Sequence, residues 1–496
     1  MTLEESLTEN LQLKAQLAAR TALLAERERE IEKLTRIIES ANKKLYGSKS
    51  EKLTSDQIRF TFNQPEPLVQ QSLEQEVTVE KHTRTVRKGR QPLPSDLPRE
   101  QVVYEPEATH CHCCNHELVT IGEEKSEELE KIPAQLKVIE HIRIKKACPA
   151  CKGAGVLVPP LPPTAFPLDR ARPGAGLLAD ITVSKYVDHL PLHRQEQMFL
   201  RQGIELPRQR MCDWIAAEVE LLLPLYEALK SEILSLPYVP ADETTLKVQD
   251  GETPGKCHTG YLWGLLGPPN LVWFHYAPSR AGEVIKTLLK DYSGVIQTDA
   301  YAGYNKVLLP GRCQRIACLA HVRRKFIEAQ SSAGKECGRV LALIADLYKA
   351  EKPARTAEAR LELRQGKSGR IMRELLACLR DLNSRILPQS ALASAVRYTL
   401  DQEDEFLRIL ENGAYELDNN RIEREMRPIA VGRKNYLFAG SHDGARRAAA
   451  LYSLFGTCRL NKVNPWAWLS DVLRRIGSDR TVKAADLLPH NWKVQV

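Results

Sequence analysis

Between residues 237 and 299 the pattern of apolar residues changes from helical to extended, and this change constrains the fold more than any other feature. Three segments have the length and residue types of strands: Tyr238–Val248, Tyr261–Leu266 and Leu271–Tyr276. Gly267-Pro268-Pro269-Asn270 supplies a turn between the last two. A helical pattern follows over Ala281–Leu289, and Gly294–Asp299 is predicted to be a short buried strand that ends in an acid.

That order of three strands, a helix and a further strand is the order of a ribonuclease-H-like core. In such a core the first strand carries one acid near its middle and the fourth strand carries another near its end. Asp242 and Asp299 occupy those two places, and Glu423 is the candidate for a third carboxylate. Three carboxylates suit two Mg²⁺ or Mn²⁺ ions, which promote in-line phosphoryl transfer when they lie about 3.5–4 Å apart. From the residues alone, each acid is equally consistent with a turn, cap or solvated position.

Four further side chains are expected to support the acids. On a helix, Asn420 and Arg427 share one face with Glu423. His321 and Arg324 follow a predicted short strand that begins at Ile316 and continues into a helix. They are placed to meet the scissile phosphate or the flanking DNA, although a packing or capping role for His321 fits the sequence equally well.

The N-terminal segment, residues 1–53, is predicted to be a leucine-zipper-like coiled coil. One seam repeats at every seventh position: Leu3, Asn10, Leu17, Leu24, Ile31, Ile38 and Leu45. Such a seam over six heptads predicts a homo-oligomer. A single helix packed on the rest of the chain is the alternative.

Residues 54–100 hold several prolines and no periodicity, which predicts a linker. Its basic segment contains Arg87, Lys88 and Arg90. A flexible basic arm of this kind lies along phosphates or enters a minor groove. A solvated linker without a partner is equally consistent.

Two cysteine knuckles lie within residues 101–160, at Cys111-His112-Cys113-Cys114 and Cys148-Pro149-Ala150-Cys151. Two Cys-x-x-Cys pairs predict a tetrahedral structural zinc site with Cys111, Cys114, Cys148 and Cys151 as ligands. The role of Cys113 stays open. Between the knuckles, Leu136–Lys145 alternates apolar and polar residues and predicts a strand.

Residues 161–232 are predicted to be a helical DNA-binding region. Pro191 is placed to begin a helix that runs to Gln202, Gly203 to form a turn, and Pro207 to begin a second helix. This is the spacing of a helix-turn-helix, although an ordinary helical hairpin has the same spacing. Four basic residues surround the turn: Arg194, Arg201, Arg208 and Arg210.

The predicted catalytic domain spans residues 233–440 and contains a helical insertion at about 330–412. The insertion is expected to hold three helices: Val340–Tyr348, Ala357–Leu382 and Leu392–Leu410. Arg433 and Lys434 form a basic turn beside the proposed site, where phosphates of bound DNA would pass. A C-terminal helical segment, residues 441–496, includes a helix over Trp466–Ile476.

The composition limits the location and the partners of the protein but does not identify a fold. No run of 18 apolar residues occurs and the N-terminus lacks a secretory signal, so we expect a cytoplasmic protein with no membrane partner. Twelve cysteines are then thiols or metal ligands. The net charge of +8 permits a polyanionic partner without requiring one.

Eight segments in order resemble the insertion sequence 66 family of bacterial transposases: Leu45–Leu53, the paired cysteine knuckles, Lys185–Gln195, Ala241–Thr244, Gln297–Asn305, Ala320–Phe326, Asp418–Asn435 and Thr457–Asn461. The resemblance implies a DDE transposase with Asp242, Asp299 and Glu423 as metal ligands. It also implies double-stranded DNA partners, namely the terminal inverted repeats and a target, and possible small accessory proteins. A non-catalytic DNA-binding repressor and a nuclease without joining activity are the alternatives.

Overall fold

The computed structural model describes residues 136–147, 156–157, 167–168, 173–249, 255–308, 311–478 and 483–493. The predicted coiled coil, the basic linker with Arg87, Lys88 and Arg90, and the four zinc-site cysteines lie outside the described residues. Within the described segments, no helix is long and apolar enough to cross a membrane.

A small antiparallel pair joins β1 (Lys146–Ala147) to β2 (Val156–Leu157). The prediction of a strand over Leu136–Lys145 is wrong, because this stretch is exposed throughout and does not form a strand. Val138, for example, is 96% exposed. Alternation marks a half-buried strand only where one face is covered, and no side chain of this stretch is buried.

Among the described residues, three helices precede the main sheet: α1 (Ala175–Tyr186), α2 (Leu192–Arg201) and α3 (Arg208–Leu234). The predicted helix, turn and helix are confirmed. Pro191 and Pro207 are the residues just before α2 and α3, and Gly203 in the turn has a φ of +79°, which glycine adopts without strain. The C-terminal part of α3 packs its apolar residues against the sheet, so the hairpin is continuous with the core.

The main sheet has five strands: β3 (Tyr238–Gln249), β4 (Cys257–Gly267), β5 (Leu271–Ala277), β6 (Gly294–Gln297) and β7 (Cys313–Ile316). Their order across the sheet is β5-β4-β3-β6-β7. The first three form an antiparallel meander, while β6 and β7 run parallel to β3. Helix α4 (Gly282–Leu288) connects β5 to β6, and a 3₁₀ helix over Ala302–Val307 follows β6. The strand predicted to begin at Ile316 ends there instead.

Helix α5 (Leu319–Ala329) leads from β7 into a helical insertion of five helices: α6 (Gly334–Glu351), α7 (Ala357–Gln365), α8 (Lys367–Arg385), α9 (Ala391–Leu400) and α10 (Glu403–Ile409). The insertion has its own apolar core, which also includes residues of α5 and β7. Two of the predicted helices are each broken in two. The first break is at Gly366, the second between Leu400 and Glu403.

Three helices complete the described chain: α11 (Asn420–Tyr436), α12 (His442–Leu460) and α13 (Pro465–Ser478). Helix α12 lies against β5, the edge strand of the meander. Ser453 accepts a hydrogen bond from the Phe274 N–H at 2.8 Å, and Thr457 contacts both the N–H and the C=O of Val272. These hydroxyls form hydrogen bonds with backbone groups of the edge strand that could otherwise pair with a strand of another chain.

Candidate active site

Asp242 and Asp299 lie on neighbouring parallel strands. Pro240 of β3 is paired with Gln297 of β6, and each acid follows its member of that pair by two residues. The Asp242 carboxylate accepts the N–H of Glu243 at 2.9 Å, and the Asp299 carboxylate accepts the N–H of Tyr301 at 2.9 Å. Short local bonds of this kind fix the direction in which each acid points.

Glu423 reaches the same place from the first turn of α11, which packs on β3 and β4. Two features bring the helix close. Asn419, just before the helix, donates to the Ala241 carbonyl at 2.7 Å. Gly264, paired with Asp242, has no side chain to hold the helix away, since a Cβ there would lie 2.8 Å from the Met426 methyl group and 3.1 Å from a methyl of Ile422.

The acids influence one another electrostatically. Burial raises the pKa of Asp242 to about 8, and the negative charges of Glu243, Glu423 and Asp299 add to that increase. Carboxylates gathered in a partly buried place favour either a proton or a cation. The charge distribution therefore suits a site for a positively charged ligand.

Helix α5 supplies the two predicted supporting residues. His321 Nε2 lies 3.8 Å from Glu423 Oε1, and Arg324 lies 3.7 Å from Glu423 Oε2. Burial lowers the pKa of His321, and its Nδ1 atom is buried without a hydrogen-bond partner. Asn420 is the first residue of α11, and Arg427 lies one turn beyond Glu423 in an exposed position.

A second set of contacts beside Asp242 has no counterpart in the sequence analysis. Glu243 is almost completely buried, forms an ion pair with Arg280 and accepts the Tyr304 hydroxyl at 2.8 Å. The Arg280 guanidinium stacks on Tyr301 at 3.9 Å from the ring centre. In the sequence, only its position next to Asp242 indicates a role for Glu243 at this site. Its partners Arg280 and Tyr304 are distant in sequence, in the segment before α4 and in the 3₁₀ helix.

Carboxylate oxygens are the donors that Mg²⁺ and Mn²⁺ prefer, and Glu423 Oε1 is buried without a hydrogen-bond partner. The residue types therefore fit a divalent cation. As they stand, no three His, Cys, Asp or Glu side chains in the described part of the chain are gathered closely enough to hold a metal ion. Glu425 is separate from this group, because its carboxylate is paired with Arg459 of α12.

The predicted DNA-binding residues lie elsewhere on the surface. Arg194, Arg201, Arg208 and Arg210 are all exposed around the α2–α3 turn. Lys434 is also exposed. Arg433 is not a free cation, because its guanidinium donates to the hydroxyls of Thr244 and Thr245 at 3.2 and 2.8 Å and so fastens α11 to β3.

Four sequence families match successive stretches of the chain. They are described as "Transposase C of IS166 homeodomain" over residues 33–102, "zinc-finger binding domain of transposase IS66" over 108–152, "Transposase IS66 family" over 170–447 and "IS66 C-terminal element" over 453–490. The third match contains the whole five-stranded sheet and all three acids. Together the matches define a multidomain transposase with a zinc-finger domain.

This chain belongs to the IS66 family of transposases. It is 39% identical over 423 residues to the uncharacterized protein y4jD of Sinorhizobium fredii, a comparison that covers 81% of each chain. It is 33% identical over 497 residues to the uncharacterized protein y4hP of the same organism, with 92% of this chain and 88% of the relative covered. Membership in the family points to a DNA partner and to the use of zinc and a divalent metal.

Proposed function

We propose that this transposase cleaves DNA at the terminal inverted repeats of an insertion sequence and joins the freed 3′ ends to a target. The convergence of Asp242, Asp299 and Glu423 carries this proposal. The three acids come from β3, the end of β6 and α11, and the two others contribute to the raised pKa of Asp242. Repulsion among three acids that come from distant parts of the sequence lowers the stability of the fold. A purely structural role does not explain that loss.

The strand order supports a ribonuclease-H-like core. An antiparallel meander followed by two strands parallel to its first strand places the acid in the middle of β3 beside the acid after β6. The helical insertion then separates Asp299 from Glu423 in sequence but returns the chain to the same edge. There the Leu319 N–H at the start of α5 donates to the carbonyl of Leu417, just before α11, at 3.0 Å.

Asp242, Asp299 and Glu423 would hold two Mg²⁺ or Mn²⁺ ions, which supply charge for an in-line phosphoryl displacement when bound. His321 and Arg324 would hold the Glu423 carboxylate in place from α5, and Arg324, which is exposed, would also contact a phosphate. Glu243 and Arg280 would keep β3 and the start of α4 in register beside Asp242. Asn420 and Arg427 would meet the DNA along the face of α11.

The remaining segments would bring the DNA to this site. The coiled coil of residues 1–53 would join protomers, and Cys111, Cys114, Cys148 and Cys151 would bind a structural zinc ion. The exposed arginines around the α2–α3 turn, with the basic linker and Lys434, would follow the phosphates of the terminal repeat. Small accessory proteins of the same element are possible partners, and we expect the protein to act in the cytoplasm.

The test uses the purified full chain, a labelled duplex with the terminal repeat that flanks the gene, a target plasmid and Mg²⁺ or Mn²⁺. We expect cleavage at the 3′ end of the repeat and a joined product. Asp299→Asn should lose both products while repeat binding survives. The matched control is Asp291→Asn, because that carboxylate is 83% exposed and pairs with Lys290 at the surface.

Two outcomes would replace the proposal. Specific binding without metal-dependent chemistry, with accessory proteins added, would indicate a non-catalytic DNA-binding repressor. Cleavage without a joined product, and with little preference for the repeat, would indicate a nuclease.

A further inference from the structure

The chain makes an unusual turn directly after α11. The Phe438 N–H donates to the Tyr436 carbonyl at 2.7 Å, which closes a three-residue turn around Leu437. Leu437 has a φ of +64° and a ψ of −48°. This is the conformation of a γ-turn of the rare, strained kind. Leucine is poorly suited to positive φ, so the surroundings hold the backbone in place.

The turn is anchored on both sides. Ala439 extends the sheet beside β3, since its N–H donates to the Lys247 carbonyl at 2.8 Å and its carbonyl accepts the Gln249 N–H at 2.8 Å. One turn earlier on α11, Arg433 is fastened to Thr244 and Thr245. A strained turn held this rigidly presents its side chains in one fixed direction.

The side chains it presents are large and apolar. Leu437 is 65% exposed and Phe438 is 40% exposed. The backbone anchors on β3 and α11 hold this exposed pair in place. Exposed apolar groups on a rigid support mark a surface that meets a partner.

The surrounding charge indicates what that partner is. Along α11 the exposed residues Arg424, Arg427, Val431 and Lys434 are three or four positions apart and so form one face. This face runs from the turn that carries Glu423 to Leu437. Exposed Lys247 lies beside the turn on β3. Four basic residues beside an apolar pair suit the phosphates and stacked bases of DNA.

We propose that Leu437 and Phe438 form a wedge that inserts between base pairs of the bound DNA and unstacks them. The proposal rests on the proposed function, because it takes DNA as the substrate. Leu437 is 14 residues beyond Glu423 on or just after α11, which is about 21 Å along the helix. With α11 aligned along the duplex axis and about 3.4 Å per step, the wedge acts roughly six base pairs from the phosphodiester at the acids.

The experiment measures unstacking directly. The full chain is mixed with terminal-repeat duplexes that carry 2-aminopurine at successive positions, and fluorescence is recorded without added Mg²⁺ or Mn²⁺, so that no cleavage occurs and the zinc ion is retained. We expect an increase confined to one or two positions about six base pairs from the cleavage point. Phe438→Ala should reduce that increase, and Leu437→Gly combined with Phe438→Ala should abolish it. Leu387→Ala is the matched control, because Leu387 is 79% exposed on the helical insertion.

Leu437→Gly separates the wedge from a structural role. Glycine accepts a φ of +64° without strain, so the unfolding temperature of this variant should stay unchanged or rise. Cleavage with Mg²⁺ should nevertheless fall by about tenfold, which corresponds to part of the cost of unstacking a base step, because Phe438 still contributes. A mismatched pair at the unstacked position should restore most of the lost cleavage, because less unstacking is then required.

Several results would overturn the wedge. One is a wild-type protein that binds and cleaves the repeat with no fluorescence increase at any position. Another is a double variant that gives the wild-type increase, and a third is a change in association state without an effect on DNA, which would assign the apolar pair to a protein interface. Localised unstacking without any cleavage would instead contradict the proposed function and leave the wedge intact.

Discussion

At the scale of single residues, the most unusual ionisable group away from the acids is Glu218 of α3. Its carboxylate is completely buried and accepts the Thr182 hydroxyl of α1 at 2.9 Å, while Oε1 has no partner. Burial raises the pKa of Glu218 to about 8, and the bond from Thr182 only partly opposes that increase. The folded protein therefore keeps this carboxyl protonated at neutral pH.

This carboxyl makes stability depend on pH. In the unfolded chain Glu218 loses its proton near the ordinary glutamate pKa of 4.5, whereas the folded chain keeps it up to about pH 8. The stabilisation is complete below the unfolded pKa and is lost as the pH rises through that window. Glu218→Gln should therefore match the wild type near pH 4.5 and be more stable near pH 8, by about 1 kcal/mol or more.

Thermal unfolding across this pH range tests the prediction. Glu220→Gln, an exposed change on the same helix, should leave the pH profile of the wild type in place. Parallel profiles for Glu218→Gln and the wild type would contradict a raised pKa.

Gly264 controls the approach of α11 to the acids. An added Cβ would lie 2.8 Å from Met426 and 2.9 Å from Phe274, so Gly264→Ala should destabilise the fold by about 1–3 kcal/mol. Strand cleavage should fall further than stability explains, because Glu423 moves with the helix. Gly338→Ala in α6 meets nothing within 4 Å and should stabilise the fold by about 0.5–1 kcal/mol. Chemical denaturation and end cleavage of both variants provide the comparison; equal effects would show that Gly264 has no positioning role.

At the scale of elements, one buried arginine organises the helical insertion. Arg364 of α7 pairs with Glu351 of α6 at 2.7 Å. It also donates to the carbonyls of Ile409, Asn412 and Tyr415 at 2.9, 2.6 and 2.9 Å. These carbonyls belong to the segment that leads into α11, so the insertion fixes where the helix bearing Glu423 begins.

Arg364→Met should cost about 3–5 kcal/mol, because Glu351 would remain as a buried, unpaired charge. Amide hydrogen exchange should rise over residues 409–417 before other parts of the insertion. The control is Arg380→Met, whose partner Glu403 lies across an exposed pair, and whose loss should cost about 1 kcal/mol or less. Similar costs for the two variants would contradict the organising role of Arg364.

The elements that were predicted well are those whose ends are marked by residues close in sequence. Pro191, Gly203 and Pro207 act within a few residues, and the predicted α2, turn and start of α3 are correct within about two residues. The predicted helix over Ala357–Leu382 is broken at Gly366, beside the contacts of Arg364, and such tertiary contacts have no signature in local periodicity. The positions of Asp242 and Asp299 followed from strand order. The role of Asn419 could not be predicted from the sequence, because its hydrogen-bond partner Ala241 is 178 residues away.

At the scale of the whole molecule, the proposed joining of both element ends in one complex would use two or more protomers. The heptad seam of residues 1–53 is the predicted means of association. Leu24→Asp combined with Ile31→Asp in the full chain should lower the association state in sedimentation experiments. Cleavage of a single repeat should persist, while joined products from paired ends should fall by about tenfold or more. Unchanged sedimentation would place the protomer interface elsewhere.

The cover that α12 provides for β5 bears on how the protein is made. Ser453 lies 179 residues beyond Phe274, and a ribosome adds about 5–20 residues per second. The N–H and C=O groups of β5 are therefore synthesised on the order of 10–40 s before the hydroxyls that hydrogen-bond to them. During that interval a nascent chain has an open sheet edge beside newly formed apolar surface, the condition in which neighbouring chains on one messenger aggregate. Slow or crowded translation should thus lower the yield of soluble transposase without altering any finished molecule.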